Sequence, residues 1–490
     1  MADPLSFPAV PEFQTALQRF ARSLAGPDLP ARLQAGLIGD GMPFETPFGL
    51  QNMLYADYVA SGRALRQVET FVMEEVLPVY ANSHTEASHV GRVITRMREE
   101  ARGIIADLVG AGPDCHVIFA GNGATGGLNR IVGLLNLRER VAAGEDIRVF
   151  IGPYEHHSNI LPWRESGARV TEIPEAPGGG VDLAALEAEL VAAQGAGLLI
   201  GSFSAASNVT GLLTDPDPVT RLLKAHGALA VWDYACGAPY LPMDMKSGTD
   251  CAKDAIVFSA HKFPGGPGAS GVAVLRDSIV ARATPTLPGG GTVSFVSPWT
   301  QVYSGRVEAR EEAGTPNVVA DIRAALVMMV KDAVGTDYIG QREEALRQRA
   351  LAAWSGLPQL QILGQNAQSH ALPVFSFRVF GDKGRVHHQL FTRMLSDHYG
   401  VQARGGCACA GPYAHRLLEI DEPASEALMA RLAAGEELEK PGWTRLNLSY
   451  LHDDAQADRI IAAVRDLAQK AEAMAALYTC DTRTARFNAA

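Results

Sequence analysis

No apolar run in this 490-residue chain is long enough to cross a bilayer, which argues against a helical membrane protein. The opening residues, 1–13, lack the basic and apolar blocks of a secretion signal, so the expected location is the cytoplasm. Cysteine is sparse: six in a chain of this length make no disulfide framework, and a reducing compartment would leave them as thiols. An excess of basic charge is missing too. Against 54 acidic residues stand 43 lysines and arginines, and a net charge of −11 suits neither nucleic acid nor an anionic membrane as a partner. Internal repeats and low-complexity tracts are also lacking. What is there is a globular composition, 47% hydrophobic and 20% charged, with enough chain to bury a core in more than one domain.

Residues 1–50 are rich in proline and glycine, with one possible helix at 11–24, and read as an N-terminal arm. Leu65, Val68, Phe71, Val72 and Val76 then recur at helical spacing, and a second helix runs through Val90, Ile94, Met97, Ile105 and Leu108. From residue 116 the pattern changes to short apolar runs, at 117–119, 148–151, 168–173, 198–200, 229–232, 256–258 and 272–275, separated by helical stretches. That alternation predicts an α/β domain around a mainly parallel, mixed, seven-stranded sheet, spanning 51–320. Residues 321–490 read as a smaller α+β domain, with a strand at 374–379, a closing segment at 443–450, a last helix near 456–471 and a loosely ordered end.

Chemistry-bearing residues follow the strands. After the run at 256–258 come Ser259, Ala260, His261 and Lys262, then a glycine-rich loop. In open α/β sheets ligands sit at strand ends, and a lysine pressed against apolar surroundings there shifts towards the neutral amine, a nucleophile for aldehydes. A surface lysine behind a core strand is the plainer alternative. Gly121, Gly123, Gly126 and Gly127 surround Ala124 and Thr125 at a helix start, where free N–H groups bind phosphate, or simply make a tight turn. His156 and His157 are adjacent, so their side chains diverge, which disfavours a shared metal ion. In the second domain Arg404, Cys407 and Cys409 share a glycine-rich polar loop, where a thiol near an arginine is more easily deprotonated than a buried one. A metal site with His415, or inert packing, would also account for these cysteines.

Ser259-Ala260-His261-Lys262 followed by Gly265-Gly266-Pro267-Gly268 resembles the lysine motif of class V aminotransferases, the family that contains cysteine desulfurases. The resemblance continues in order from about residue 52 to 450. It implies a fold type I enzyme dependent on pyridoxal 5'-phosphate, with Lys262 holding the cofactor as a Schiff base beside Ser259 and His261. The loop of Ala124 and Thr125 would take the phosphate, although Gly126 stands where relatives often carry an acidic residue. His156, in Glu155-His156-His157-Ser158-Asn159 with Pro162-Trp163 behind it, would stack on the ring. Asn208, in Ser207-Asn208-Val209-Thr210-Gly211, would lie beside the phenolic oxygen. Asp233 would pair with the pyridine nitrogen and keep it an electron sink. Cys236 replaces a glutamine common in the family. The Ser/His-rich loop at 82–92 and the segment at 288–292 match further family segments. Thr315, in Gly314-Thr315-Pro316-Asn317, would reach the phosphate of a partner subunit, which implies a homodimer with shared sites.

Arg404, Gly406, Cys409 and Pro412 match the family's Arg-x-Gly-x-x-Cys-x-x-Pro, in which the arginine binds the substrate carboxylate and the cysteine attacks sulfur. Cys407 has no counterpart there; Cys-x-Cys also resembles molybdenum cofactor sulfurases, and Cys407 could resolve a persulfide or pair with Cys409 on oxidation. The implied activity is removal of sulfur or selenium from cysteine or selenocysteine, giving alanine and a persulfide at Cys409 for a possible acceptor protein, without a metal. An epimerase, β-lyase or aminotransferase of the same fold is the alternative. A non-catalytic scaffold fits poorly with Thr125, His156, Asp233 and Lys262 all intact.

Overall fold

The short apolar runs between residues 115 and 276 form one sheet in a computed structural model that describes residues 14–83, 86–407 and 409–490. Its strands are β1 (Cys115–Gly121), β2 (Ile147–Ile151), β3 (Arg169–Glu172), β4 (Leu198–Ser204), β5 (Leu229–Asp233), β6 (Ala255–Ser259) and β7 (Gly271–Arg276), in the order β1-β7-β6-β5-β4-β2-β3. Only β7 runs against its neighbours, pairing antiparallel with both β1 and β6. The expected mixed, mainly parallel seven-stranded sheet is therefore present.

Both faces of this sheet are covered, which explains why β6 is apolar throughout rather than alternating. Ile256 and Phe258 point into one core and Ala255 and Val257 into the other, as a period of two requires. Helix α1 (Ala16–Leu24), α2 (His89–Leu108) and α4 (Val318–Val334) cover the first face, while α3 (Gly123–Leu134) covers the second.

Helix α4, which crosses the expected boundary at 320, is buried along most of its length in the core of the seven-stranded sheet. Leu54 and Ala56 belong to the small core, because the strand Leu54–Tyr55 pairs parallel with Val401–Gln402. The described part of the expected arm is packed: α1 buries Leu17, Phe20 and Leu24, and Phe20 meets Phe71 at 5.3 Å between ring centroids. Residues 11–13 of the expected first helix lie outside the described residues, as do His84 and Thr85 of the loop at 82–92.

The small domain holds α5 (Thr336–Trp354), α6 (His388–Tyr399) and α7 (Asp454–Ala475) against an antiparallel sheet of β8 (Leu360–Ile362), β9 (Val374–Gly381), β11 (Arg404–Gly406) and β12 (Trp443–Asn447), ordered β8-β9-β12-β11, with β10 (Gly384–Val386) folded back on β9. The chain end is ordered, contrary to expectation. Tyr478–Asp481 and Arg486–Ala489 pair as a hairpin, and the Tyr478 hydroxyl reaches Asp397 Oδ2 and His398 Nε2, each at 3.1 Å. Among the described residues no helix is long and apolar enough to cross a membrane.

His452 closes the seam between the parts. Its Nε2 lies 2.9 Å from the carbonyl of Tyr55, and its Nδ1 accepts the N–H of Ser449 at 3.1 Å. Burial pushes its pKa down to about 4, with the Tyr55 carbonyl partly opposing, so the ring folds neutral. An unfolded histidine titrates near 6.5. This burial costs nothing above that pH, and destabilises the fold as pH falls from 6.5 towards 4, by at most ~3 kcal/mol. Thermal melts from pH 7 to 4 are expected to show a shallower pH slope for His452→Gln than for wild type; equal slopes would remove His452 from the acid sensitivity.

Candidate active site

Five of the strands end at one cavity of ≈ 200 Å³. Asn122 to Thr125 arrive from β1, Tyr154 and His156 from β2, Ser204, Ala206 and Asn208 from β4, Asp233 and Cys236 from β5, and Ser259, His261 and Lys262 from β6. The sequence-predicted residues Ala124, Thr125, His156, Asn208, Asp233, Ser259, His261 and Lys262 thus meet in one place.

Lys262 ends the short turn Ala260–Lys262 and has no hydrogen bond or ion pair among the described residues. Burial lowers its pKa; the nearby Cys236 and Asp233 pull the other way, and the charges of Arg445 and Arg404 add to the lowering. Asp233 is 3% exposed, and among the described residues its hydrogen-bond donor is the N–H of Ala235 at 2.7 Å. Burial raises its pKa, while that N–H and the Lys262 charge favour the carboxylate. A carboxylate so poorly supplied with donors suits a cationic N–H partner. Burial, then the Lys262 charge, pushes His156 down to about 4, so a neutral ring faces the cavity.

Its turn is held from beneath. Glu155 accepts from the N–H of Gly152 at 3.2 Å, from Ser204 N at 2.8 Å and Oγ at 2.6 Å, and from Asn159 Nδ2 at 2.6 Å. Asn159 Oδ1 in turn accepts from Trp163 Nε1 at 3.0 Å and Ser202 Oγ at 2.5 Å. Burial raises the Glu155 pKa to about 7 against these bonds. The spacing Glu-x-x-x-Asn-x-x-x-Trp is therefore a bracing chain under the histidines.

The opposite end of the cavity is rich in donors. Helix α3 begins at Gly123, so its first N–H groups have no partner within the helix. Ala124 N–H donates to Ser259 Oγ at 2.9 Å, and the Thr125 and Ser158 hydroxyls lie 2.7 Å apart. Gly123 has φ +61°, and a Cβ there would stand 2.7 Å from Ser259 Oγ. A helix start that can bind an anion, a buried carboxylate and an amine whose pKa burial lowers line this one cavity, and they fit the donor and acceptor set of pyridoxal phosphate.

Thr315 is exposed on the loop after Glu312 and does not line this cavity. That loop is fixed to α2 and α4, where Arg98 pairs with Glu312 at 2.6 Å and Asp321 at 2.7 Å, and Arg102 with Glu312 at 2.8 Å. Arg404 is 53% exposed and binds Asp57 Oδ2 through Nε at 2.9 Å. Arg445, 5% exposed, binds Asp57 Oδ1 at 3.0 Å and the Asn208 carbonyl at 2.9 Å. Reading the sequence missed Arg445. Its signal was an arginine inside a strand, β12, that is buried throughout.

Cys409 is exposed at φ +54° and Cys407 half-buried. The Cys409 carbonyl accepts the His157 N–H at 2.9 Å, so its loop rests on the segment that carries His156. The ring nitrogens of His415 are taken by Gly411 O at 2.8 Å and Ser425 Oγ at 2.9 Å, and among the described residues no group of three potential ligands is arranged for a metal. Cys236 points its thiol at Ser207 O, 3.5 Å away, and burial pushes its pKa up to about 11. Maleimide at pH 7 is expected to label Cys409 to completion before Cys236 reacts; equal rates would contradict this burial.

The family model described as "Aminotransferase class-V" matches residues 54–429. A probable cysteine desulfurase of Pyrococcus abyssi is 29% identical over 374 residues, covering 75% of this chain and 87% of that protein. A cysteine desulfurase of Klebsiella pneumoniae is 28% identical over 424 residues, covering 85% and 93%. The fold is shared with the apo cysteine desulfurase from Thermococcus onnurineus NA1 (TM-score 0.70, 24% identity, 85% of this chain and 95% of that one) and with the cysteine desulfurase CsdA from Escherichia coli (TM-score 0.70, 22% identity, 90% and 98%).

Proposed function

The chain belongs to the class-V aminotransferase family of pyridoxal phosphate enzymes, and from that premise we propose that it is a desulfurase, taking sulfur or selenium from L-cysteine or selenocysteine and leaving alanine and a persulfide on Cys409. The observation that carries this reading is the seating of the exposed Cys409 loop on the wall of the cavity that holds Lys262, through the bond from His157 N–H to the Cys409 carbonyl.

When bound, the cofactor supplies a carbonyl carbon for amines and a cationic ring that accepts the electrons of the substrate's Cα–H bond. Lys262 would hold that carbon and would move the substrate's Cα proton, a task that needs the neutral amine its burial favours. Ala124, Thr125, Ser259 and His261 would hold the phosphate, joined by Thr315 from a partner subunit, while His156 would stack on the ring, Asn208 would lie beside its phenolic oxygen and Asp233 would keep its nitrogen protonated. The Cys409 thiolate attacks the substrate sulfur; an S–S bond forms as the Cβ–S bond breaks, and the electron pair stays with the carbon skeleton that becomes alanine.

Two arginines are available for the substrate carboxylate. Arg404, the one expected, is 53% exposed and its charge acts on Lys262, whereas Arg445 is buried and its charge acts on Lys262, His156 and Cys236. We assign the anchoring role to Arg445 and a closing role to Arg404. Steady-state kinetics are expected to show Arg445→Lys raising KM for cysteine about ten-fold, through loss of a planar fork, and Arg404→Lys raising it less. The reverse order would return the anchor to Arg404.

A homodimer is supported by the hairpin of Val293–Val296 and Gln301–Tyr303, which exposes Phe295, Val296, Val302 and, at 90%, Trp299. The partner subunit would cover it and receive Thr315. All six cysteines are free, as fits the cytoplasm, where a sulfur-acceptor protein would unload Cys409. A second reading, an epimerase, β-lyase or aminotransferase, rests on Cys236 in place of the family's glutamine.

The test is to add L-cysteine to the cofactor-loaded protein and measure alanine and sulfide together. Alanine is expected from wild type, falling at least ~10²-fold in Cys409→Ala. Full turnover of a sulfur-free amino acid by Cys409→Ala, with no alanine from cysteine in wild type, would establish the second reading.

A further inference from the structure

His156 and His157 diverge, and only the first faces the cavity. The second turns to the loop of Cys409, where it makes two bonds on either side of Ala410. Its N–H donates to the Cys409 carbonyl at 2.9 Å, and its Nε2 accepts the N–H of Gly411 at 2.9 Å. We propose that His157 is a positioning residue for Cys409: its neutral imidazole clamps the loop at the cavity mouth, and uptake of a proton opens the clamp. The catalytic consequence rests on the desulfurase reading; the clamp itself does not.

Three features of the loop point to a held conformation. Cys409 is a non-glycine residue at φ +54°, a region that costs energy and persists where neighbours enforce it. Ala410 is fully buried, and its carbonyl accepts the Ala414 N–H at 2.8 Å. A Cβ on Gly411 would stand 3.1 Å from His157 Nε2, so the ring is seated directly against the glycine. The next peptide group is held as well, since the Gly411 carbonyl faces His415 Nδ1 at 2.8 Å and His415 Nε2 meets Ser425 Oγ at 2.9 Å.

An imidazole that accepts at Nε2 carries its proton on Nδ1. A second proton would put N–H against the Gly411 N–H, two donors face to face, and remove the acceptor. The surrounding charges favour the neutral form. Burial lowers the His157 pKa first, and Arg164 on the adjoining helix Leu161–Glu165 adds to it. The His156 ring is 6.1 Å away. On the helix Gly411–Leu417, His415 is engaged as above, Arg416 pairs with Glu172, and Tyr413 lies near the Thr210 hydroxyl. The clamp is therefore closed at neutral pH and is lost as pH falls through and below the ordinary histidine range.

Glutamine separates this role from packing, because its amide oxygen can accept at the place of Nε2 and does not titrate. The experiment is hydrogen exchange of the peptide containing Gly411, corrected for intrinsic rates from pH 5 to 8, in the cofactor-loaded wild type, His157→Gln and His157→Ala, alongside alanine formation from cysteine. Cofactor absorbance reports that each variant is folded and loaded. Wild type is expected to be protected at pH 8 and to exchange about five-fold faster at the acid end. His157→Gln stays protected throughout, and His157→Ala is unprotected throughout. Alanine formation follows the same pattern in kcat rather than KM. Protection that is flat with pH in wild type, or equal in wild type and His157→Ala, overturns the clamp. The expected exchange pattern without any alanine from cysteine leaves the clamp standing and overturns the desulfurase reading.

Discussion

The desolvation of Lys262 at the end of β6 is the constraint on which the rest of the site depends. An amine in water is charged and inert; buried at the strand ends beside Asp233 and Cys236 it is pushed towards the neutral form. The mixed sheet makes this possible. Because β7 alone is reversed, β6 and β1 run the same way though not adjacent, and their ends bring Lys262 and the start of α3 to one mouth. Burial at the same strand ends pushes His156 down to about 4 and raises Asp233, whose carboxylate form the Ala235 N–H and the Lys262 charge favour.

A second constraint acts across the seam of the two domains. Asp57 holds Arg404 with one oxygen and Arg445 with the other, and Arg445 reaches on to the Asn208 carbonyl beside the cavity. A substrate carboxylate arriving at Arg445 would compete with Asp57 for the same fork. Cys409 lies just beyond β11, so the strand that carries Arg404 also leads into the loop of the thiol.

Residues that follow strands were legible in the sequence, because an abrupt change from apolar run to polar or glycine-rich turn marks a strand end. Lys262 and Thr125 were singled out this way, and Asn208 and Asp233 by the family resemblance. Arg445 was not, since it lies inside a strand and its role comes from the partner Asp57, 388 positions away. The burial of helix α4 in the core of the seven-stranded sheet was not legible, because an apolar-rich helix reads the same in either core. The N-terminal helix and the C-terminal hairpin looked loose for a similar reason: what orders them is contact with distant residues such as Phe71 and Asp397, invisible to local pattern. The bond between His157 and Gly411 spans 254 positions and had no signal beyond the divergence of adjacent histidines.

The most direct measurement of Lys262 as the reactive amine is borohydride reduction of the pyridoxal phosphate-loaded protein followed by peptide mass mapping. A single pyridoxyl adduct on Lys262 is expected. An adduct spread over other lysines, or none on the peptide containing Lys262, would contradict the role given to the end of β6.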